Sequence, residues 1–424
     1  MKLEFHPEML RLQKYTCNCC GQGCRSFLVP VNAQEREKIE KQENWRAELG
    51  VNELFIKHRA AGDWGWGLAK HPDGRCVFLD KDNLCLIHKK RGLRAKPIAC
   101  QLYPFVLNPF GGTLWVGLRF DCPTVCRSEG RELTSYRQEL QRYARHLAGP
   151  SWENAPLPEV YPRQQASTAT LEAINETVLK IIDSDAIPLV DRLQWLRGLT
   201  EHLALVKWAK VKDQTNQELI NMMHSGVFVE QSRQTLKRQA IKGKPRKMLG
   251  QMFFLLAQPT TIITAESKGW FKNLGKRIHL TRQMRQLGHT SGPLPKIQPN
   301  WPVCDLSELE TSFGEWPKEV QQILSRYLTC RVVSFGYCGP AFYGYSITEG
   351  LESLLWATVT IGWLMRIEAL AAGRKHIVSL DALEAIMKID GNLGYSTALG
   401  FGPGKLRLRY LREHLAGFID WYCR

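Results

Sequence analysis

Nine of the thirteen cysteines in this 424-residue chain fall within its first 126 residues, at positions 17, 19, 20, 24, 76, 85, 100, 122 and 126. Thiolates gathered in one folded region repel one another, so they are tolerated mainly when a cation neutralises them or when they stay protonated. So uneven a distribution argues for a metal module at the N-terminus. The opening run Met1 to Tyr15 is charged throughout and has no apolar stretch leading to a small-residue cleavage site. A cytoplasmic location is therefore expected, in which thiols stay reduced and disulfide stapling is disfavoured.

The cysteines come in three blocks. Cys17, Cys19, Cys20 and Cys24 lie within eight residues, interrupted by Gly21 and Gly23, which permit the tight turns that bring backbone N–H groups toward bound sulfur. Cys76 and Cys85 flank Asp82-Asn83, a hairpin-turn signal between two ligand-bearing strands, and Cys100 follows between Lys96-Pro97 and Tyr103-Pro104. Cys122 and Cys126 close the set, preceded by a strand over Leu114–Leu118. All nine are candidate ligands. An all-thiolate set suits zinc or iron, including a [4Fe-4S] cluster, and four ligands complete either centre, so nine imply two sites or a surplus of core and exchange thiols. His88 lies in a basic run and is expected to be solvated. Cys20-x3-Cys24 and Cys122-x3-Cys126 each lack the third cysteine of a radical S-adenosylmethionine motif, having Phe27 and Glu129 in its place.

These spacings, Cys17-x2-Cys20-Gly21-x2-Cys24, Cys76-x8-Cys85-x14-Cys100-x2-Tyr103-Pro104-Phe105 and Cys122-Pro123, resemble the YkgJ-type cysteine-cluster family of zinc- or iron-chelating domains over about the first 130 residues. That family usually reads Cys-x2-Cys-Gly-x-Cys-Cys. This chain has Gly23 where the third cysteine stands, so either Cys19 replaces it or the site differs. The same blocks are similar to flagellin lysine-N-methylases, a resemblance that implies S-adenosylmethionine, an iron-sulfur cluster and a flagellin-like protein substrate. There the family continues Tyr-Pro-Arg, against Phe105 here.

Beyond the cysteines the pattern is helical. Apolar residues recur at helical spacing from Leu171 to Ile182, after Pro188, from Val320 to Leu328 and over Leu351–Leu370, and Asp381 and Glu384 suggest a capping box for a short helix ending at Gly391. Pro-rich stretches suggest a division into a cysteine-cluster domain (1–130), a helix and linker (131–167), a helical domain (168–290), a linker (291–316) and a C-terminal helical region (317–424). No stretch reads as a transmembrane helix, and Gly400–Lys405 reads as a turn rather than a nucleotide loop.

The chain has 57 basic against 41 acidic residues, a net +16, and residues 232–285 hold 13 Lys or Arg with the single acid Glu266. That segment, with Phe253, Phe254, Trp270 and Phe271 interleaved, would meet an acidic protein, nucleic acid or anionic membrane surface. The expected fold is α+β: a small cysteine-rich metal-binding N-terminal domain joined to a mostly α-helical body. Its expected function is metal binding, with the protein lysine N-methylase as the alternative.

Overall fold

A computed structural model describes residues 2–26, 28–57, 65–147, 152, 154–208, 242–258, 270–395, 400 and 402–424. The fold is α+β, with three small sheets in the first third and helices thereafter. Strand β1 (Lys2–Glu4) runs parallel to β7 (Thr113–Leu118), which pairs in turn with β6 (Phe105–Phe110) as an antiparallel hairpin. Strand β2 (Lys14–Tyr15) pairs with β8 (Arg131–Glu132). A separate sheet, in the order β3 (Pro30–Val31), β5 (Trp66–Leu68), β4 (Phe55–Lys57), belongs to the cysteine module.

The apolar residues make two cores. The larger runs from Leu3 to Cys423, and among the described residues its buried members pass directly from Tyr15 to Phe105. The smaller is built wholly from residues between Val29 and Ala95, including Trp45 edge-on to Phe78 at 5.4 Å. The core boundary therefore does not fall at residue 130. Strands β1, β6 and β7 belong with the helical body, and the cysteine module is the excursion between Tyr15 and Phe105. Its two ends meet, with the Tyr15 and Phe105 rings edge-on at 5.5 Å.

The body is organised around the Ile347–Ala371 helix, which packs against Leu189–Leu205, Ser379–Asp390 and Leu415–Tyr422. Among the described residues it is the one helix long and apolar enough to cross a membrane, longer than the apolar stretch of the sequence suggests, and 83% of its most apolar window is packed inside the protein. Ser346 and Glu349 form a reciprocal cap at its start. The helices expected from Leu171, Pro188 and Val320 span Thr168–Ile182, Leu189–Leu205 and Lys318–Val333.

Three local expectations change. Helix Ser379–Asp390 starts two residues before Asp381, which is itself the reciprocal acceptor, taking the Val378 N–H at 2.9 Å. Gly402 to Lys405 is the first turn of the helix Gly402–Leu411 rather than a free turn. The Pro-rich stretch 291–316 is no tether, because Leu294, Ile297, Trp301, Leu306, Leu309, Phe313 and Trp316 are buried in the larger core.

Candidate metal centre

The glycines and turns of the cysteine blocks do local work that brings the blocks together. Gly21 and Cys19 both take positive φ, at 69° and 56°, curling residues 17–21 into a loop before the short helix Gln22–Ser26, which carries Cys24. The Cys76 N–H donates to the Cys24 carbonyl at 2.9 Å, joining the first block to the second. The turn expected at Asp82-Asn83 is present. Asn83 has φ 61°, and Asp80 Oδ1 accepts from the N–H groups of Asp82 and Leu84 at 2.9 and 2.8 Å. Its flanks are an isolated Leu79–Cys85 bridge rather than full strands, since Cys85 immediately enters the helix Leu86–Arg91. Strand β7 carries the chain to the third block as expected. There the Phe120 N–H donates to Asp390 Oδ2 at 2.6 Å, fixing Cys122 to the helical body.

Eight of the nine candidates, Cys17, Cys19, Cys20, Cys24, Cys76, Cys85, Cys100 and Cys122, line one cavity of about 160 Å³, roughly the liquid-volume share of five waters. One wall comes from the smaller core, through Val29, Leu68, Phe78 and Ile87. The other comes from the body side, through Tyr15, Tyr103, Pro123 and Thr124. The cavity thus lies on the seam between the two cores. Cys126 is apart from it, fully buried, with its thiol donating to the Leu383 carbonyl at 3.6 Å. Cys330 and Cys338 are buried in the larger core.

The lining thiols differ in environment. Cys17, Cys19 and Cys20 are exposed, Cys24, Cys85 and Cys100 are half-buried, and Cys76 and Cys122 are buried. Burial, reinforced by neighbouring thiols, pushes Cys76 up to about 12 and raises Cys24 and Cys100. Cys19 is raised chiefly by Cys17 beside it. Burial therefore favours the protonated form of Cys24, Cys76 and Cys100, and among the described residues no three His, Cys, Asp or Glu side chains are grouped closely enough to hold an ion. The donor set fits a soft-ligand centre: the cavity wall holds eight thiols and the exposed His88, and no carboxylate.

Two lysines complete the site, and the cysteine pattern alone did not mark them as part of it. Burial would lower the Lys96 pKa, but Cys100, Cys85, Cys24 and Cys17 together raise it above its ordinary value. Lys70 donates to the Arg25 carbonyl at 2.6 Å, and burial brings its ammonium down to about 8 against the opposing pull of Cys76 and Cys24. The visible signal for Lys96 was its place beside Pro97, between Cys85 and Cys100. Behind the body-side wall, the Tyr103 hydroxyl donates to Asp121 Oδ1 at 3.1 Å, and Asp121 pairs with Arg119 at 2.7 Å, both side chains buried.

Gly23 has a steric reason. A Cβ at this position would stand 2.8 Å from Cε1 and 2.9 Å from Cζ of Tyr103, so the ring fills the space that a cysteine there would need. Phe105 is 6% exposed and packs on Tyr15 and Tyr136, an apolar environment with no place for an arginine.

The basic segment 232–285 is described only over 242–258 and 270–285; residues 232–241 and 259–269, and the side chains of Trp270 and Phe271, lie outside the described residues. Within it, Arg246 is 1% exposed and pairs with Glu310 at 2.8 Å, and Phe253 and Phe254 are core residues. These three serve packing rather than contact with a partner.

Residues 16–137 match the CxxCxxCC family model, described as "Putative zinc- or iron-chelating domain". The matched span takes in all nine N-terminal cysteines. No curated protein and no solved structure matches the chain.

Proposed function

We propose that this chain, whose N-terminal region carries a zinc- or iron-chelating domain, holds its metal in the seam cavity through Cys24, Cys76, Cys85 and Cys100. The observation that carries the assignment is that these four thiols, from well-separated points in the chain, line one cavity, with Cys24, Cys85 and Cys100 bearing on Lys96 and Cys24 and Cys76 on Lys70. Four thiolates on a divalent ion leave a net charge of −2, which the Lys96 ammonium offsets in part. Cys17, Cys20 and Cys122 stand at the same wall as further donors, enough to extend the site or to receive a second ion. Bound there, the metal would crosslink separate loops of the module, and would reach the body only if Cys122 joined the set, with Lys70 and Lys96 balancing its thiolates.

The test is metal analysis of protein purified without oxygen. Near-stoichiometric zinc or iron is expected, with visible absorption and acid-labile sulfide marking an iron-sulfur cluster; folded protein with neither metal would refute the assignment. The lysine N-methylase reading rests on resemblance. Its test is transfer of a labelled methyl group from S-adenosylmethionine to lysines of flagellin, and no transfer by metal-replete protein would retire it.

The basic segment 232–285 is proposed as a contact for an anionic partner through Lys242, Lys244 and Lys247. Salt-sensitive association lost on reversing these three, with Arg246 untouched, would support it; association unchanged by the reversal would remove it.

A further inference from the structure

We infer that the cleft between the helices Ala33–Gln42 and Arg137–Leu147, floored by residues 91–98, docks an acidic polypeptide segment alongside the thiol cavity. The cleft measures about 1690 Å³, beyond the ~300–1,000 Å³ usual for small-molecule sites, so its size suits a polymer. Six cations line it: Lys38, Arg91, Arg94, Lys96, Arg142 and Arg145.

Its two carboxylates are already committed. Glu35 accepts from the Asn32 N–H at 3.0 Å and the Ile98 N–H at 2.7 Å, and Glu139 accepts from the Tyr143 hydroxyl at 2.6 Å. Arg91 is paired with Glu43, and Arg142 lies 3.8 Å from Glu139. Lys38, Arg94, Lys96 and Arg145 form no ion pair with a described carboxylate. A concave basic surface concentrates positive potential and draws in an anion.

The shape selects which anion. A bilayer surface is flat and does not enter a cleft. Single-stranded nucleic acid binds on exposed aromatic platforms, and the aromatic residue of this cleft, Tyr143, is 3% exposed with its hydroxyl engaged. A flexible chain of carboxylates needs neither a flat surface nor a stacking platform. Lys96 lines both the cleft and the thiol cavity, so a docked segment lies next to the cysteines.

The experiment uses the full chain, purified with its metal, and a fluorescein-labelled deca-glutamate peptide followed by anisotropy. Binding is expected, weakening with added salt, and R94E/R145E should lower affinity at least about tenfold through like-charge repulsion. K318E/K375E changes net charge equally at exposed positions outside the cleft and should leave affinity unchanged. No peptide binding, or an equal loss in the K318E/K375E control, overturns the inference. So does tighter binding of oligouridylate or phosphatidylglycerol vesicles that R94E/R145E abolishes. Metal content is measured on every sample and is expected to be unchanged, so a failure here is distinct from a failure of the metal assignment.

Discussion

Gly23→Ala tests how the first cysteine block is seated. The new methyl carbon would lie 2.8 Å from the Tyr103 ring. The ring cannot simply step aside, because its hydroxyl is bonded to Asp121 at 3.1 Å and Asp121 is locked to Arg119. Overpacking of this kind costs about 1–3 kcal/mol, and losing a hydrogen bond to a charged group costs about 1.5–3 kcal/mol. Against this, replacing glycine by alanine in a helix returns about 1 kcal/mol. The net expectation is a destabilisation of roughly 1.5–5 kcal/mol, read by urea denaturation of the metal-loaded protein. Metal content should fall as well, since residue 23 abuts Cys24. Tyr103→Ala introduced together with Gly23→Ala should remove the clash, making the double variant less destabilised than the sum of the two singles. A Gly23→Ala variant as stable as the parent, or more so, would show that helix propensity governs this position and that Tyr103 does not occupy the space.

Cys100→Ser should lose most of the bound metal, and Cys126→Ala should keep it while losing some stability from the larger core; metal analysis of the two decides whether the cavity defines the ligand set. Asp390→Asn should cost about 3–5 kcal/mol in a denaturation experiment, because this fully buried carboxylate serves the Phe120 N–H, the Tyr327 hydroxyl and Arg331 together. Stripping the metal with a chelator should expose the module before the body. Limited proteolysis is then expected to cut within residues 16–104 first while helical circular dichroism persists, and a simultaneous loss of both would contradict two separable cores.

Much of the architecture was legible because helical periodicity survives in a single sequence. Leu171 to Ile182 and Val320 to Leu328 mark their helices directly. The three cysteine blocks likewise announced a shared site, and Asp82-Asn83 its turn. What the sequence concealed depends on distant packing. The Pro-rich run 291–316 resembles a linker until its tryptophans are seen buried in the larger core. Cys126 looks equivalent to Cys122, but it stands one turn further along the short helix, fully buried against the Leu383 carbonyl and outside the cavity. Lys96 and Tyr103 are visible as neighbours of Cys100, but their roles, a cation among the thiols and a ring against Gly23, depend on chain crossings that spacing does not encode.

The meeting of Tyr15 and Phe105 has a consequence for descent and engineering. A segment that leaves a structure and returns at one spot, with no described residue fully buried in the core it leaves and only Ile98, Leu102 and Tyr103 among its described apolar residues packed against it, is by its topology a cassette. Its length, loops and ligands can drift without retuning the helices beneath, and the helices can change their own task without disturbing the sulfur site. The Tyr15–Phe105 junction is accordingly the natural splice point for grafting a different module onto this body, or this module onto another.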